Sequence, residues 1–264
     1  MISIFTSNSN IMNTLKYTIG AILLLLFVSC KKEQEQPGAA SLTLINAVVD
    51  QELLRTNFKG LEPIEYRTSQ FVPYGFFIVS SNRYAVPAGA CPLGLYTVKD
   101  TLPGDKPVYY FNLDLPAGST HTLFLYGQYG AYGSLLVKDT LPHYQVKDSV
   151  AGFRFINLCL GSSSVSVNLR NATPGSEVEN LPFKDITGFK KYSALKGVKD
   201  YVFEFRNTET GTLIASSTVR GIGNGGSPSP NTWLYRNFTF ALMGVLGGTG
   251  AEAPKVVQIS HSYR

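Results

Sequence analysis

Leu125-Tyr126-Gly127-Gln128-Tyr129-Gly130-Ala131-Tyr132-Gly133 and Leu242-Met243-Gly244-Val245-Leu246-Gly247-Gly248-Thr249-Gly250 share one pattern, Leu-x-Gly-x-x-Gly-x-x-Gly. The glycines are kept while the other side chains change. That marks a conserved backbone geometry, since glycine reaches conformations that cost other residues dearly. A second matched pair lies upstream, Leu44-Ile45-Asn46 and Phe155-Ile156-Asn157. Leu44 and Phe155 are 111 residues apart, and Leu125 and Leu242 are 117 apart. Two pairs at nearly one spacing describe a duplicated unit with a short insertion. Each copy then has ordinary domain size, about 100–150 residues.

The segments between these markers are strand-like. Leu42-Thr43-Leu44-Ile45-Asn46, Val108-Tyr109-Tyr110-Phe111-Asn112-Leu113 and Thr122-Leu123-Phe124-Leu125-Tyr126 are short and rich in β-branched and aromatic residues. Ser164-Val165-Ser166-Val167-Asn168-Leu169 and Tyr201-Val202-Phe203-Glu204-Phe205-Arg206 alternate. In the latter, Tyr201, Phe203 and Phe205 are expected to face a core, and Glu204 and Arg206 water. Pro103-Gly104, Pro116-Ala117-Gly118, Thr210-Gly211 and Gly225-Gly226-Ser227-Pro228 supply turns. The expected fold is all-β: two tandem Ig-like antiparallel β-sandwich domains, at 41–147 and 148–264. Phe183 to Leu195 is the one mild helical candidate, and Gly188 among β-formers argues against it.

Several of these stretches together resemble a known family. Phe153-Arg154-Phe155-Ile156-Asn157, Leu181-Pro182-Phe183-Lys184-Asp185-Ile186-Thr187-Gly188-Phe189, Tyr201 to Arg206 and Asn237-Phe238-Thr239-Phe240-Ala241-Leu242-Met243-Gly244 look like the domain of unknown function 4397 family. The resemblance covers 151 to the end well and 41–145 more loosely. In the first copy, Phe71-Val72-Pro73-Tyr74-Gly75 stands where the Leu181-to-Phe189 stretch would fall. The resemblance implies a secreted or lipid-anchored bacterial protein, of a kind common as tandem copies in Bacteroidota lipoproteins. Its motif residues are glycines, prolines and core positions, so it carries over a fold and no catalytic site.

Composition agrees with a folded β protein. Of 264 residues, 44% are hydrophobic, 16% charged and 12% aromatic, which excludes a disordered chain. The formal net charge of +5 is spread thinly, with Lys31-Lys32 and Lys190-Lys191 its densest points. A nucleic-acid binder gathers its cations on one stripe, so no nucleic-acid partner is expected.

The N-terminus reads as an address. Lys16 precedes the apolar run Tyr17-Thr18-Ile19-Gly20-Ala21-Ile22-Leu23-Leu24-Leu25-Leu26-Phe27-Val28-Ser29, and Cys30 follows. The run is short for a membrane span and suits a signal-peptide core. A small residue followed by Cys at its end resembles a bacterial lipobox, although Phe27 stands where Leu is usual. Residues 1–30 are therefore expected to be a lipoprotein signal ending at Cys30, which takes the acyl chains (palmitate among them). Residues 31–40 would be a flexible tether. An ordinary secretory signal is the competing reading. Met12 is a candidate start, because residues 1–11 carry no charge. The expected location is the outer membrane, anchored through the lipid, with the periplasmic and cell-surface faces both open.

The chemistry-bearing residues are sparse. Gly221-Ile222-Gly223-Asn224-Gly225-Gly226 fits G-x-G-x-x-G, but Ser227-Pro228-Ser229-Pro230 follows where a phosphate-binding helix must begin, so a loop is expected. His121, His143 and His261 show no metal-ligand spacing, and no metal or cofactor is expected. Glu177 and Glu179 read as solvated rather than as a catalytic pair. Cys91 and Cys159 could form a cross-module disulfide or stay buried thiols. Tyr126, Tyr129 and Tyr132 are candidate ligand contacts or a cover for the sandwich end. Asp100-Thr101-Leu102, Asp139-Thr140-Leu141 and Asp148-Ser149-Val150 resemble the acceptor motif of Bacteroidota protein O-glycosylation, making Thr101, Thr140 and Ser149 candidates. The function expected is a non-catalytic binding or structural module with an envelope protein or glycan as partner. The alternatives are a glycan-binding accessory protein of a nutrient-uptake system and, less favoured, a hydrolase.

Overall fold

The computed structural model describes residues 38–261 apart from 52, 62, 63, 66, 100, 101, 103 and 225–230. The signal segment and Cys30 lie outside the described residues. Ala39 and Ala40, expected in the tether, belong instead to the first strand, where they pair with Pro87 and Val86.

The chain folds as two tandem β-sandwiches. The first contains β1 (Ala39–Val49), β2 (Leu53–Asn57), β3 (Phe71–Pro73), the one-turn helix α1 (Val79–Asn82), β4 (Arg83–Pro87), β5 (Gly89–Thr97), β6 (Tyr109–Leu115), β7 (Thr120–Gln128) and β8 (Ala131–Lys138). The second contains β9 (Val150–Asn157), β10 (Ser164–Leu169), β11 (Val178–Pro182), β12 (Lys190–Ser193), β13 (Tyr201–Asn207), β14 (Leu213–Val219), β15 (Asn237–Met243) and β16 (Lys255–Ser260). Sheet orders are β4-β1-β7-β8 with β3-β2-β5-β6, and β12-β9-β15-β16 with β11-β10-β13-β14. The two copies therefore share one topology, strand for strand. All pairs are antiparallel except β1 with β7 and β9 with β15, the central pairs of the inner sheets.

The equivalence reaches single atoms. Asn46 and Asn157 each accept the backbone N–H two residues on, from Val48 and Cys159, both at 3.1 Å. Gly75 N donates to Asn46 O at 2.8 Å, and Lys184 N donates to Asn157 O at 2.7 Å. Val72-Pro73-Tyr74-Gly75 thus stands in the place of Leu181-Pro182-Phe183-Lys184. That turn needs a positive φ, 63° at Gly75 and 75° at Lys184. Gly127 and Gly244 close the equivalent strands at φ 102° and 105°. The glycine pattern diverges beyond the second match, because Gly133 lies in β8 while Gly250 opens a 3₁₀ turn (Gly250–Glu252).

Each sandwich has its own core. Leu42, Leu44, Leu93, Leu95, Leu123 and Leu125 are among the first, and Phe153, Phe155, Phe203, Phe205 and Phe240 form an aromatic nucleus in the second. Burying one such side chain contributes about 1.5–3 kcal/mol. A third core joins the copies. Ile45, Ala47 and Phe124 meet Ile156, Leu158, Ala241, Met243, Val257 and Ile259. On β1, Leu42 and Leu44 face the first core, and Ile45 and Ala47 face the third. Strand alternation puts successive residues on opposite faces, so each inner sheet is buried on both sides. The result is four stacked sheets with the inner two in contact, and from Gly38 onward the chain is one compact unit.

Charged and polar groups lock this seam. Asp139 follows β8 and its carboxylate is fully buried, paired with the guanidinium of Arg154 on β9. Thr122 Oγ1 donates to Asp139 Oδ2 at 2.7 Å, and Arg154 Nε donates to Thr239 Oγ1 at 2.8 Å. Thr239 Oγ1 lies 2.6 Å from His261 Nε2. The other ring nitrogen, Nδ1, lies 3.9 Å from Asp139 Oδ2. The segment between the copies is docked as well: Tyr144 Oη donates to Asn237 Oδ1 at 2.8 Å, and Asn237 Nδ2 donates to Pro142 O at 2.9 Å.

Candidate functional site

Three of the clefts on the described surface bear on the candidate residues. The first, about 500 Å³, lies over β10 and β13 and includes Asn168, Arg170, Glu204, Arg206 and Thr208. Glu204 and Arg206 point outward as alternation requires, but Glu204 is only 8% exposed. Arg170 Nε donates to its Oε1 at 2.9 Å, and Arg206 NH2 donates to its Oε2 at 2.8 Å. These two arginines hold its carboxyl below the usual range. The charges of this cleft therefore satisfy one another.

The second cleft, about 560 Å³, sits at the loop end of the first sandwich between Asp50, Gln51, Leu53, Thr97, Val98, Lys99 and Tyr129. It receives one of the three candidate tyrosines. The other two go elsewhere. Tyr126 meets the Phe183 ring at 5.7 Å on the seam side, and Tyr132 meets the Tyr109 ring at 4.0 Å on the opposite face. Register explains the split: Tyr126 stands opposite Gly133, and Tyr132 opposite Gly127. Neighbouring cross-strand pairs face opposite sides of a sheet, so no common aromatic platform forms.

The third cleft, about 550 Å³, opens where the two copies meet. Ile78, Val79 and Ser80 form one wall, and Thr232, Trp233, Arg236, Phe238 and Ser260 form the other. Each wall is fixed by a buried or turn-forming polar residue. On the first, fully buried Asn82 donates from Nδ2 to Leu44 O at 2.8 Å and accepts Ile78 N–H at 2.8 Å. On the second, Asn231 Oδ1 accepts the Trp233 N–H at 2.9 Å, and Trp233 Nε1 donates to Arg220 O at 2.8 Å. The indole is wedged against Phe238 at 4.6 Å and Phe153 at 6.0 Å. Arg236 N donates to Trp233 O at 3.2 Å, closing a turn whose third residue, Tyr235, has φ 61°. A bulky residue is costly there, where glycine is usual. Tyr235 is held by its N–H to Val150 O at 2.8 Å and its hydroxyl to Val146 O at 2.5 Å. Arg83 donates to the backbone oxygen of Ser260, a cleft residue, across the seam. An apolar, partly aromatic cleft with a few fixed polar groups is the usual form of a small-molecule site.

The remaining expected sites resolve as follows. Cys91 and Cys159 are not bonded to each other. Each is packed in a different sandwich core, and burial pushes the Cys159 thiol up to about 11. Glu177 is not solvated: its side chain is 4% exposed, pairs with Lys190 at 2.8 Å and accepts the Tyr192 hydroxyl. Thr140 is exposed, and its neighbour Asp139 is buried against Arg154. Ser149 is half-buried at φ 45°, and Asp148 Oδ2 accepts the Gln145 N–H at 3.4 Å. Thr101 lies outside the described residues. Among the described residues no group of three or more His, Cys, Asp or Glu is placed to hold a metal, and no helix is long and apolar enough to cross a membrane. Trp233 and Arg236 escaped the sequence reading. The signal available was a lone tryptophan beside a Pro-Ser loop.

No family model and no curated protein matches the chain. Solved structures do resemble it in part. One, from Bacteroides ovatus and provisionally described as an adhesin, has 11% identity and a TM-score of 0.23, over 80% of this chain and 90% of that one. Another, from Bacteroides thetaiotaomicron and provisionally described as polysaccharide-binding, has 9% identity and a TM-score of 0.20, over 81% and 94%. At these scores neither neighbour carries weight in assigning a ligand.

Proposed function

We propose that this chain is a lipid-anchored cell-envelope protein acting as a non-catalytic binding module, and that the seam cleft is where it contacts a saccharide. The reading of the anchor rests on the signal segment and Cys30, and the resemblance to the domain of unknown function 4397 family agrees with it. The observation that carries the binding role is the rigid indole of Trp233 in a cleft shared by both copies. A sugar ring offers an apolar C–H face to an aromatic plane and hydroxyls to polar groups at its margin. Here Trp233, Ile78 and Val79 supply the first, and Ser80 and Thr232 the second. Because both walls are pinned before any ligand arrives, little ordering cost attends binding.

Trp233 is the chain's single tryptophan, so its fluorescence reports this cleft alone. Glycan-array binding by the mature chain, accompanied by a Trp233 emission shift for the same saccharides, is the expected result. Val79→Arg should abolish both without changing Tm, because Val79 is half exposed. Array binding that leaves Trp233 emission untouched would place the contact elsewhere. For the anchor, Cys30→Ala should release the protein from membranes, and retention there would contradict lipidation.

A further inference from the structure

The seam cleft holds a charge that nothing around it uses. Among the described residues the guanidinium of Arg236 makes no hydrogen bond or ion pair, in contrast to Arg154, Arg170 and Arg206, which all pair with carboxylates. It is half-buried on the same wall as Trp233, three residues along one fixed turn. Its backbone is tied on both sides, N–H to Trp233 O and C=O receiving the Gly152 N–H at 2.8 Å. Arginine stays protonated at any physiological pH, and its planar fork matches a carboxylate with two parallel hydrogen bonds. An unpaired guanidinium carried on a fixed backbone beside an aromatic side chain is therefore a site awaiting an anion attached to a flat apolar face.

Resting on the cleft as the saccharide contact, we propose that its ligand is an acidic sugar: a pyranose bearing a carboxylate, as in uronic acid residues of an anionic polysaccharide. The ring stacks on Trp233 against Ile78 and Val79, the carboxylate pairs with Arg236, and Ser80 and Thr232 meet ring hydroxyls. The cleft volume, about 550 Å³, is that of a small-molecule site and accommodates a short stretch of chain. An extended acidic peptide fits less well. One common mode of peptide recognition adds a strand to a sheet edge. This cleft is lined by the α1 turn, the 231–236 loop, central-strand Phe238 and only the last residue of the edge strand β16, so little strand edge faces it.

The test is calorimetric titration of the mature chain, with Trp233 emission in parallel. The probes are trisaccharides of galacturonic, guluronic and mannuronic acid, the neutral trisaccharides galactotriose and mannotriose, and an Asp/Glu hexapeptide. At least one uronic trisaccharide should bind tenfold or more tighter than its neutral counterpart and shift Trp233 emission. Arg236→Gln should bring that ratio close to one by weakening the uronic trisaccharide, with Tm unchanged. Equal affinity for acidic and neutral sugars in the parent chain, or a ratio unmoved by Arg236→Gln, would overturn the acidic-sugar assignment while leaving the cleft as a saccharide site. If no sugar binds or moves Trp233, the cleft reading itself fails. Binding of the hexapeptide alone would replace the sugar with an acidic peptide.

Discussion

At Arg154 a buried cation is answered by one carboxylate, and the two come from different copies. Taking both charges out of water costs several kcal/mol, which their pairing offsets only while both are present. Arg154→Met therefore leaves Asp139 buried and uncompensated, and should destabilise the chain by about 3–5 kcal/mol in urea unfolding. Adding Asp139→Leu should restore much of the loss. His261 makes a second prediction. Burial, the largest cause, together with the Arg154 and Arg83 charges holds its pKa well below the ordinary value of 6.5. As pH falls through about 6.5 the unfolded chain gains a proton that the folded chain refuses, so this contribution is complete above that pH and lost below it. Tm should fall more steeply between pH 7.5 and 5 in the parent than in His261→Gln; parallel curves would contradict the assignment. None of this network was legible in the sequence. Asp139 looked like part of an acceptor motif and His261 was marked only by its lack of metal-ligand spacing, because pairing across a seam leaves no local periodicity.

The elements were read more completely. Glycine at 127 and 244 signalled backbone geometry, and the reason is visible: at φ above 100° a methyl would also stand 2.7 Å from a carbonyl oxygen, that of Ala131 or of Ala253. Gly127→Ala and Gly244→Ala should each cost more than the ~1–2 kcal/mol of left-handed strain alone. Gly130→Ala, at φ 84° with open space around it, should cost only that strain. Denaturant midpoints of the three variants check this order. Alternation in β13 correctly put Phe203 and Phe205 inward, while Glu204 was hidden by long arginine side chains that no pattern reveals. The run Phe238-Thr239-Phe240-Ala241-Leu242-Met243 carried a signal that alternation alone does not express. Every residue of β15 is buried. Such a run marks a strand covered on both faces, and so a partner for the second face of its sheet.

At the scale of the whole molecule, the duplication was legible and its consequence was not. Two copies on a tether could have been independent beads. Instead equivalent faces of the inner sheets meet, and the polar pairs Thr122–Asp139 and Thr239–His261 occupy matching positions in the two copies. The cleft with Trp233 and Arg236 exists only because Ile78–Ser80 of one copy is held against the 231–236 loop of the other. Fusion of the copies is thus what builds the proposed binding cleft, and loosening the seam by Arg154→Met should weaken the proposed saccharide contact as well as stability. Differential scanning calorimetry of the mature chain tests the fusion most directly. A single endotherm is predicted, with the calorimetric enthalpy equal to the van't Hoff value, and Arg154→Met should split or lower that one transition. Two resolved transitions in the parent chain, with only one moved by Arg154→Met, would contradict the account.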